Sequence, residues 1–328
     1  MERRDFIKVV GGAALGWPLA ARAQQPEKVY RIGVLWRAAS AEQEGASIKA
    51  LVKGFSELGY VEGQNIKLEH RFPNADAPER FKSAAAELAT SNVDVLMAAG
   101  TNAANLAKAT TTTIPVVFML VGDPVGAKLV ENAAQPGGNV TGVASYSPDL
   151  FTKRLALLKE LIPGLARIGL LINSNDPLPR PFPEATQVAA EQGLALQTFE
   201  WKATGDLGPA FDKMKQSGIQ AFTTNPDGSS FAHRTLIAQI AAARSLPLSS
   251  WSKDTLKLGA MMSYAADQDT ILQHAAAYAD KIIKGAKPGE LAVEEPKKFE
   301  LFINPKMAKA LGVTIPEELL NGADGVVE

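Results

Sequence analysis

The stretch Val93–Phe118, VDVLMAAGTNAANLAKATTTTIPVVF, decides the fold. VDVLMAA is a nearly unbroken apolar run, the pattern of a strand buried on both faces. Gly100 interrupts it, Thr101 or Asn102 can cap a helix, and NAANLAKAT has the alanine-rich make-up of one. IPVVF then reads as a second buried strand. Strand, tight turn, helix and strand make a parallel βαβ unit. In such a unit the strand's carboxyl end and the helix N-terminus face one crevice, where free amides and the helix dipole favour an anion. GTN offers no nucleophile and no base. The turn therefore reads as a seat for a small molecule's carboxylate, in a protein that binds without converting.

The same alternation runs outward in both directions. Val29–Leu35 is a buried strand, Ala41–Leu58 a helix, IKLEHRF a strand and Ala77–Thr90 a helix with Pro78 in its first turn. Beyond Val93–Phe118, Gly122-Asp123-Pro124 opens a short helix to about Ala134. PGGN marks the densest break, and Thr141–Tyr146 is a short strand crossing between domains. The pattern then restarts, with RIGLL at 167–171 nearly repeating RIGVL at 31–35. Strands LALQTFEW, IQAFTTN and LPLSSW alternate with helices at Pro183–Gln192, Gly205–Gln216 and Ser230–Ala243. GAMMSY, a helix over Asp267–Lys284, the strand Phe299–Ile303 and a short helix around Pro305–Leu311 lead into a tail. The expected fold class is α/β, two Rossmann-like lobes with a ligand cleft at the carboxyl edges of their sheets. The expected division is 24–142 with 265–295, and 143–264 with 296–328, joined by three crossings.

Composition narrows the function classes. The chain has 328 residues, 46% hydrophobic, enough for two domains. A formal charge of −1 with no basic block beyond the N-terminus argues against nucleic acid as a partner. With no cysteine, disulfides, thiolate metal sites and a cysteine nucleophile are excluded. His70, His233 and His274 lack ligand spacing, so no metal and no cofactor is expected. There is no P-loop, no G-x-S-x-G elbow, and Trp36-Arg37-Ala38 stands where a dinucleotide turn needs glycines.

Residues 1–23 read as an address rather than as fold. Arg3-Arg4-Asp5-Phe6-Ile7-Lys8 matches the twin-arginine export pattern, a modest apolar stretch comes next, and Ala21-Arg22-Ala23 suits a signal peptidase. Cleavage after Ala23 removes four basic and two acidic residues, taking the formal charge from −1 to −3. A periplasmic location is expected.

Several strings together resemble one family. They are GYVEGQNI (59–66), VDVLMAAGTNAA (93–104), IPVVFMLVGDPVGAKLV (114–130), PGGNVTG (136–142), YADKIIKGAKPGELAVEEPKKFELFIN (278–304) and AKALGVTIPEELL (308–320). The chain is similar to ABC-importer solute-binding proteins with the type I periplasmic-binding-protein fold, the group related to tryptophan- and tyrosine-binding members. The resemblance implies a monomer that takes a small carboxylate-bearing ligand, an amino acid or aromatic acid, and delivers it to an ABC permease in the inner membrane. A sensor subunit presenting ligand to a membrane receptor and an enzyme on a doubly wound sheet are the alternatives.

By position in such proteins, the ligand meets the loops after the strands of both lobes. The first loop offers Trp36 as a stacking wall, Arg37 as a carboxylate partner, and Ser40. Gly100, Thr101 and Asn102 form the anion seat, unless Thr101 only caps its own helix. Asp123 faces the cleft or forms its own turn, and Ser145-Tyr146 lies at the hinge. In the second lobe Asn173 matches Trp36 in place, and Asn225 with Asp227 matches the GTN turn. Asp227 would hold an ammonium group, or cap the helix from Ser230. Trp251 would form the aromatic wall opposite Trp36, and Tyr264 would follow the last cleft-edge strand. On this reading Thr101→Val and Asp227→Ala each weaken binding in calorimetric titration and leave the protein folded.

Overall fold

The computed structural model describes residues 28–73, 78–145, 148–175 and 185–327. The N-terminal stretch expected to be an export signal, and Tyr146, lie outside the described residues. In chain order the first half contains β1 (Tyr30–Leu35), α1 (Gly45–Glu57), β2 (Ile66–Arg71), α2 (Pro78–Thr90), β3 (Val95–Ala99), α3 (Thr101–Thr110), β4 (Val116–Val121) and β5 (Val140–Ala144). All five strands are parallel, in the order β2-β1-β3-β4-β5. Parallel strands need helical crossovers, which cover both faces, so β3 and β4 are buried at every position. Val95, Met97 and Ala99 face one apolar core, Leu96 and Ala98 the other.

The second half contains α4 (Pro148–Leu161), β6 (Arg167–Asn173), α5 (Ala185–Glu191), β7 (Ala195–Trp201), α6 (Leu207–Gln216), β8 (Ala221–Thr224), α7 (Gly228–Ala232), α8 (Arg234–Ala243), β9 (Leu248–Ser250) and β10 (Met262–Ala266). Its sheet begins β7-β6-β8-β9-β10, the same winding as the first. After α9 (Gln268–Ile283), β11 (Phe299–Ile303) pairs antiparallel with β10. Then α10 (Pro305–Ala310), α11 (Glu317–Asn321) and β12 (Gly325–Val326) finish the chain, β12 parallel to β11. The segment expected to be a plain tail thus completes a seven-stranded sheet.

Three passages connect the lobes. The chain leaves β5 for α4, whose apolar face joins the second lobe's core. It returns from β10 to α9, which packs on α1 so closely that a Cβ on Gly54 would lie 2.7 Å from the Gln273 Cα. It leaves again after Glu294, which bridges to Val143 beside β5, while the Thr141 hydroxyl donates to the Leu291 carbonyl at 2.7 Å. The second and third passages touch, the Asp267 N–H donating to Lys298 O at 3.1 Å.

Local chemistry overrides pattern at three further places. Residues 122–134 form turns rather than a helix, with the Asp123 carboxylate accepting the Gly126 N–H at 2.7 Å and Lys128 at a left-handed φ of 56°. The helix expected over 230–243 divides at His233, whose Nδ1 lies 3.0 Å from Ser229 O. Tyr264 sits inside β10 rather than after it, against Phe299 at 6.2 Å between ring centroids.

The β4–β5 pair approaches so closely that a Cβ on Gly142 would collide with the Phe118 carbonyl oxygen. Gly142→Ala should therefore lower stability by roughly 1–3 kcal/mol, as overpacking does. Gly45, in α1 with nothing within 4 Å of its Cβ position, is the control. Gly45→Ala should gain up to about 1 kcal/mol from helix propensity. Urea midpoints measure both.

Candidate functional site

The parallel winding brings the loops after β1, β3, β4, β6, β8 and β9 to facing edges of the two sheets. At the first loop, the residues expected to meet ligand serve their own lobe. Trp36 is completely buried, its indole N–H donates to His70 Nδ1 at 2.9 Å, and its ring stacks on Phe72. It forms no wall of the cleft. Arg37 is also buried, held by Glu44, which is fully buried. Arg37 Nη2 lies 3.0 Å from Glu44 Oε2, and Glu44 Oε1 accepts the Arg37 Nε–H at 3.3 Å and the Ala38 N–H at 3.1 Å. An arginine so engaged has its charge already matched, which removes it as the carboxylate partner. Ser40 organises the next turn, its Oγ accepting the Gln43 N–H at 3.5 Å.

Gly100 takes a left-handed φ of 80° at the start of α3, and the Arg37 methylenes roof it, 3.2 Å from its Cβ position. Thr101 is 5% exposed and its hydroxyl has no hydrogen-bond partner among the described residues. The hydroxyl therefore does not cap its own helix. Asn102 sits beside it in the first turn of α3.

In the second lobe, Asn173 accepts the Asn175 N–H at 2.8 Å, forming its own turn. Asn225 is buried beside Pro226. Asp227 caps α7, Oδ1 accepting the Ser230 N–H at 2.6 Å and Oδ2 the Ser230 hydroxyl at 2.8 Å. Both carboxylate oxygens serve the cap, which is the second of the two roles the sequence offered for Asp227. Asp123 and Asn173 likewise satisfy local backbone.

A small cavity of about 20 Å³ lies where the lobes meet. Leu120 and Ser145 come from the first lobe; Leu150, Arg154, Pro226 and Trp251 come from the second, with Gln268 at the start of α9. Trp251 thus reaches the cleft, its indole N–H fixed on the Thr224 hydroxyl at 2.9 Å. Arg154 is 2% exposed, with Nε donating to Tyr264 O at 3.0 Å. Sequence reasoning passed over Arg154, although a signal existed. It lies at helical spacing from Leu150, Phe151 and Leu158, a cation on an apolar stripe. Leu120 carried no signal, since its placement depends on a bulge in β4.

The lobes also touch beside the cavity. Phe231 of α7 lies between two guanidiniums, 3.7 Å from Arg37 Cζ and 3.9 Å from Arg234 Cζ. Arg234 donates to Phe231 O and, across the cleft, to Gln43 O, each at 2.7 Å. Burial first, and the Arg37 charge second, push Arg234 below its ordinary pKa. Glu44 and Asp254 oppose that shift. Among the described residues no cluster of His, Cys, Asp and Glu suits a metal, and no helix is long and apolar enough to cross a membrane.

Removing the carboxylate beneath Arg37 should be severe. Glu44→Ala is expected to cost roughly 3–5 kcal/mol, the range for stranding a buried charge, read from urea unfolding. His70 supplies a pH signature. Burial lowers its pKa from 6.5, so the unfolded chain takes up the proton first as pH falls. Stability present above that value is lost as pH drops below it. Melting temperature should fall between pH 7 and 5, and His70→Gln should flatten that step.

Known proteins share this architecture. A tyrosine-binding protein of Clostridioides difficile strain R20291 is 25% identical over 271 residues, covering 80% of this chain and 75% of that protein. The L-Trp complex of an ABC domain from Streptococcus pneumoniae superposes with a TM-score of 0.84 at 26% identity, over 92% of this chain and 100% of that one. A conserved domain protein from Vibrio cholerae O1 biovar El Tor gives the same TM-score and coverage at 28% identity. The family described as ABC transporter substrate binding protein matches residues 39–327. The chain therefore belongs to that family, extracytoplasmic proteins that bind small molecules and work with an ABC transporter instead of catalysing a reaction.

Proposed function

We propose that the protein is the periplasmic binding component of an importer. In this reading it is exported by the twin-arginine segment, acts as a monomer, and closes over an amino acid or aromatic carboxylic acid. The observation that carries this is the cavity between the lobes, where the buried Arg154 lies among Leu120, Leu150, Pro226 and Trp251, with Ser145 and Gln268 completing the lining. Such a lining suits a ligand with one anionic end and a flat or aliphatic body. The relatives that bind tyrosine and L-Trp support the class.

Arg154 takes the carboxylate and Trp251 lies along the ligand's body. The Thr101 hydroxyl, buried without a partner, is the first lobe's polar contact. Contacts on both lobes are what closure requires, because a ligand shifts a hinge only by binding the closed form better. The hinge lies at the three passages, at Ser145 and around 267 and 295–298. Phe231 and Arg234, reaching Arg37 and Gln43, hold the shut form together. Two desolvated cation–π contacts of this kind are each worth roughly 0.5–2 kcal/mol.

A thermal-shift screen of residues 24–328 against amino acids and aromatic acids tests the reading, since a ligand of the folded state raises the melting temperature. Arg154→Met should lose the best hit by tenfold or more in calorimetry. Thr101→Val should weaken it three- to tenfold while keeping or raising the melting temperature, because it deletes an unpaired buried hydroxyl. No shift from any compound would sink the ligand class. Unchanged affinity in both variants would sink the site.

A further inference from the structure

Among the described residues, Asn92, Leu120, Lys128 and Ser245 have left-handed backbone without being glycine. Asn92, Lys128 and Ser245 lie in turns, where such angles are common. Leu120 lies inside β4, at φ 58°. A leucine gains nothing there, since its Cβ crowds the neighbouring carbonyl.

The cause is a slip in register between Met119 and Val121 against β5. Its effect is legible in the packing. Val116 and Phe118 face one core, and Val117 and Met119 the other. Regular alternation would send Leu120 back to the first face. Instead it stays on the side of Met119, and Val121 takes the first face. A bulge re-aims a side chain in this way. Here the result is that Leu120 lines the cleft cavity together with Leu150, Pro226, Trp251 and Arg154.

We infer that Leu120 is a specificity-determining residue, a strained strand position that presses an aliphatic side chain into the cleft and sets the largest apolar group a ligand can carry. The inference rests on the ligand class proposed above. Glycine is the residue its backbone angle favours, so retaining leucine makes sense where the side chain has work to do at the cavity. A role in core filling alone predicts a loss of stability that grows with each atom removed and leaves ligand preference untouched.

The test compares wild type, Leu120→Ala and Leu120→Gly by calorimetric titration with L-leucine, L-tyrosine, L-tryptophan and benzoate, and by ligand-free melting. Both variants should shift preference toward L-tryptophan over L-leucine by tenfold or more. The glycine variant should melt no lower than the alanine variant, although it has less side chain. A preference within threefold of wild type, or a glycine variant that melts well below the alanine one, overturns the inference. If wild type binds none of the four probes, the ligand class fails on its own. The melting comparison still decides whether Leu120 is held under strain.

Discussion

The carboxylate of Glu44 is the small interaction on which the site depends. Fully buried, it binds the Arg37 guanidinium and the amide of Ala38, so it fixes the whole loop after β1. Arg37 in turn roofs Gly100 at the head of α3 and offers its flat face to Phe231 of the other lobe. A buried pair like this contributes little net stability, because desolvating both ions offsets most of their attraction. Its value is positional. It converts a flexible cation into a rigid shelf against which the second lobe can register.

The fold was legible because parallel sheets write themselves plainly. Strands covered on both faces must be apolar throughout, so VLMAA and VVFMLV announced themselves, and the turns after β3, β4, β6 and β8 carried glycine or asparagine. The repeat of RIGVL as RIGLL anticipated two sheets wound alike, β2-β1-β3-β4-β5 and β7-β6-β8-β9-β10. Sequence pattern failed where one side chain competed for a backbone group. Asp123 closing on Gly126, and His233 on Ser229, turned expected helices into turns and breaks.

The site was less legible for a related reason. Loop polar residues look equally fit for a ligand and for their own backbone, and the choice is made by geometry that no spacing encodes. Asp227 and Asn173 went to local capping, and Trp36 to an indole–imidazole bond inside its lobe. Arg154 and Leu120 reached the cavity from a helix and a strand, elements read for packing alone. Trp251 lines the cavity between the lobes, and the buried Thr101 hydroxyl has no hydrogen-bond partner among the described residues.

The second and third passages are bound into one unit. Lys298 reaches both Asp267 and Glu300, and Lys253 reaches Asp269 and Glu300, beneath the Asp267–Lys298 backbone bond. In the closure proposed above, this would confine bending to a narrow line. That gives the Phe231 sandwich a further meaning. Its attraction belongs to the protein alone, so under the proposed closure it would raise the resting tendency to shut and tighten capture of every solute alike. Each increment in that grip would also raise the share of unladen molecules presenting a loaded profile to a transporter. Under that proposal, two arginines about one phenylalanine would set the balance between scavenging at low supply and idle docking.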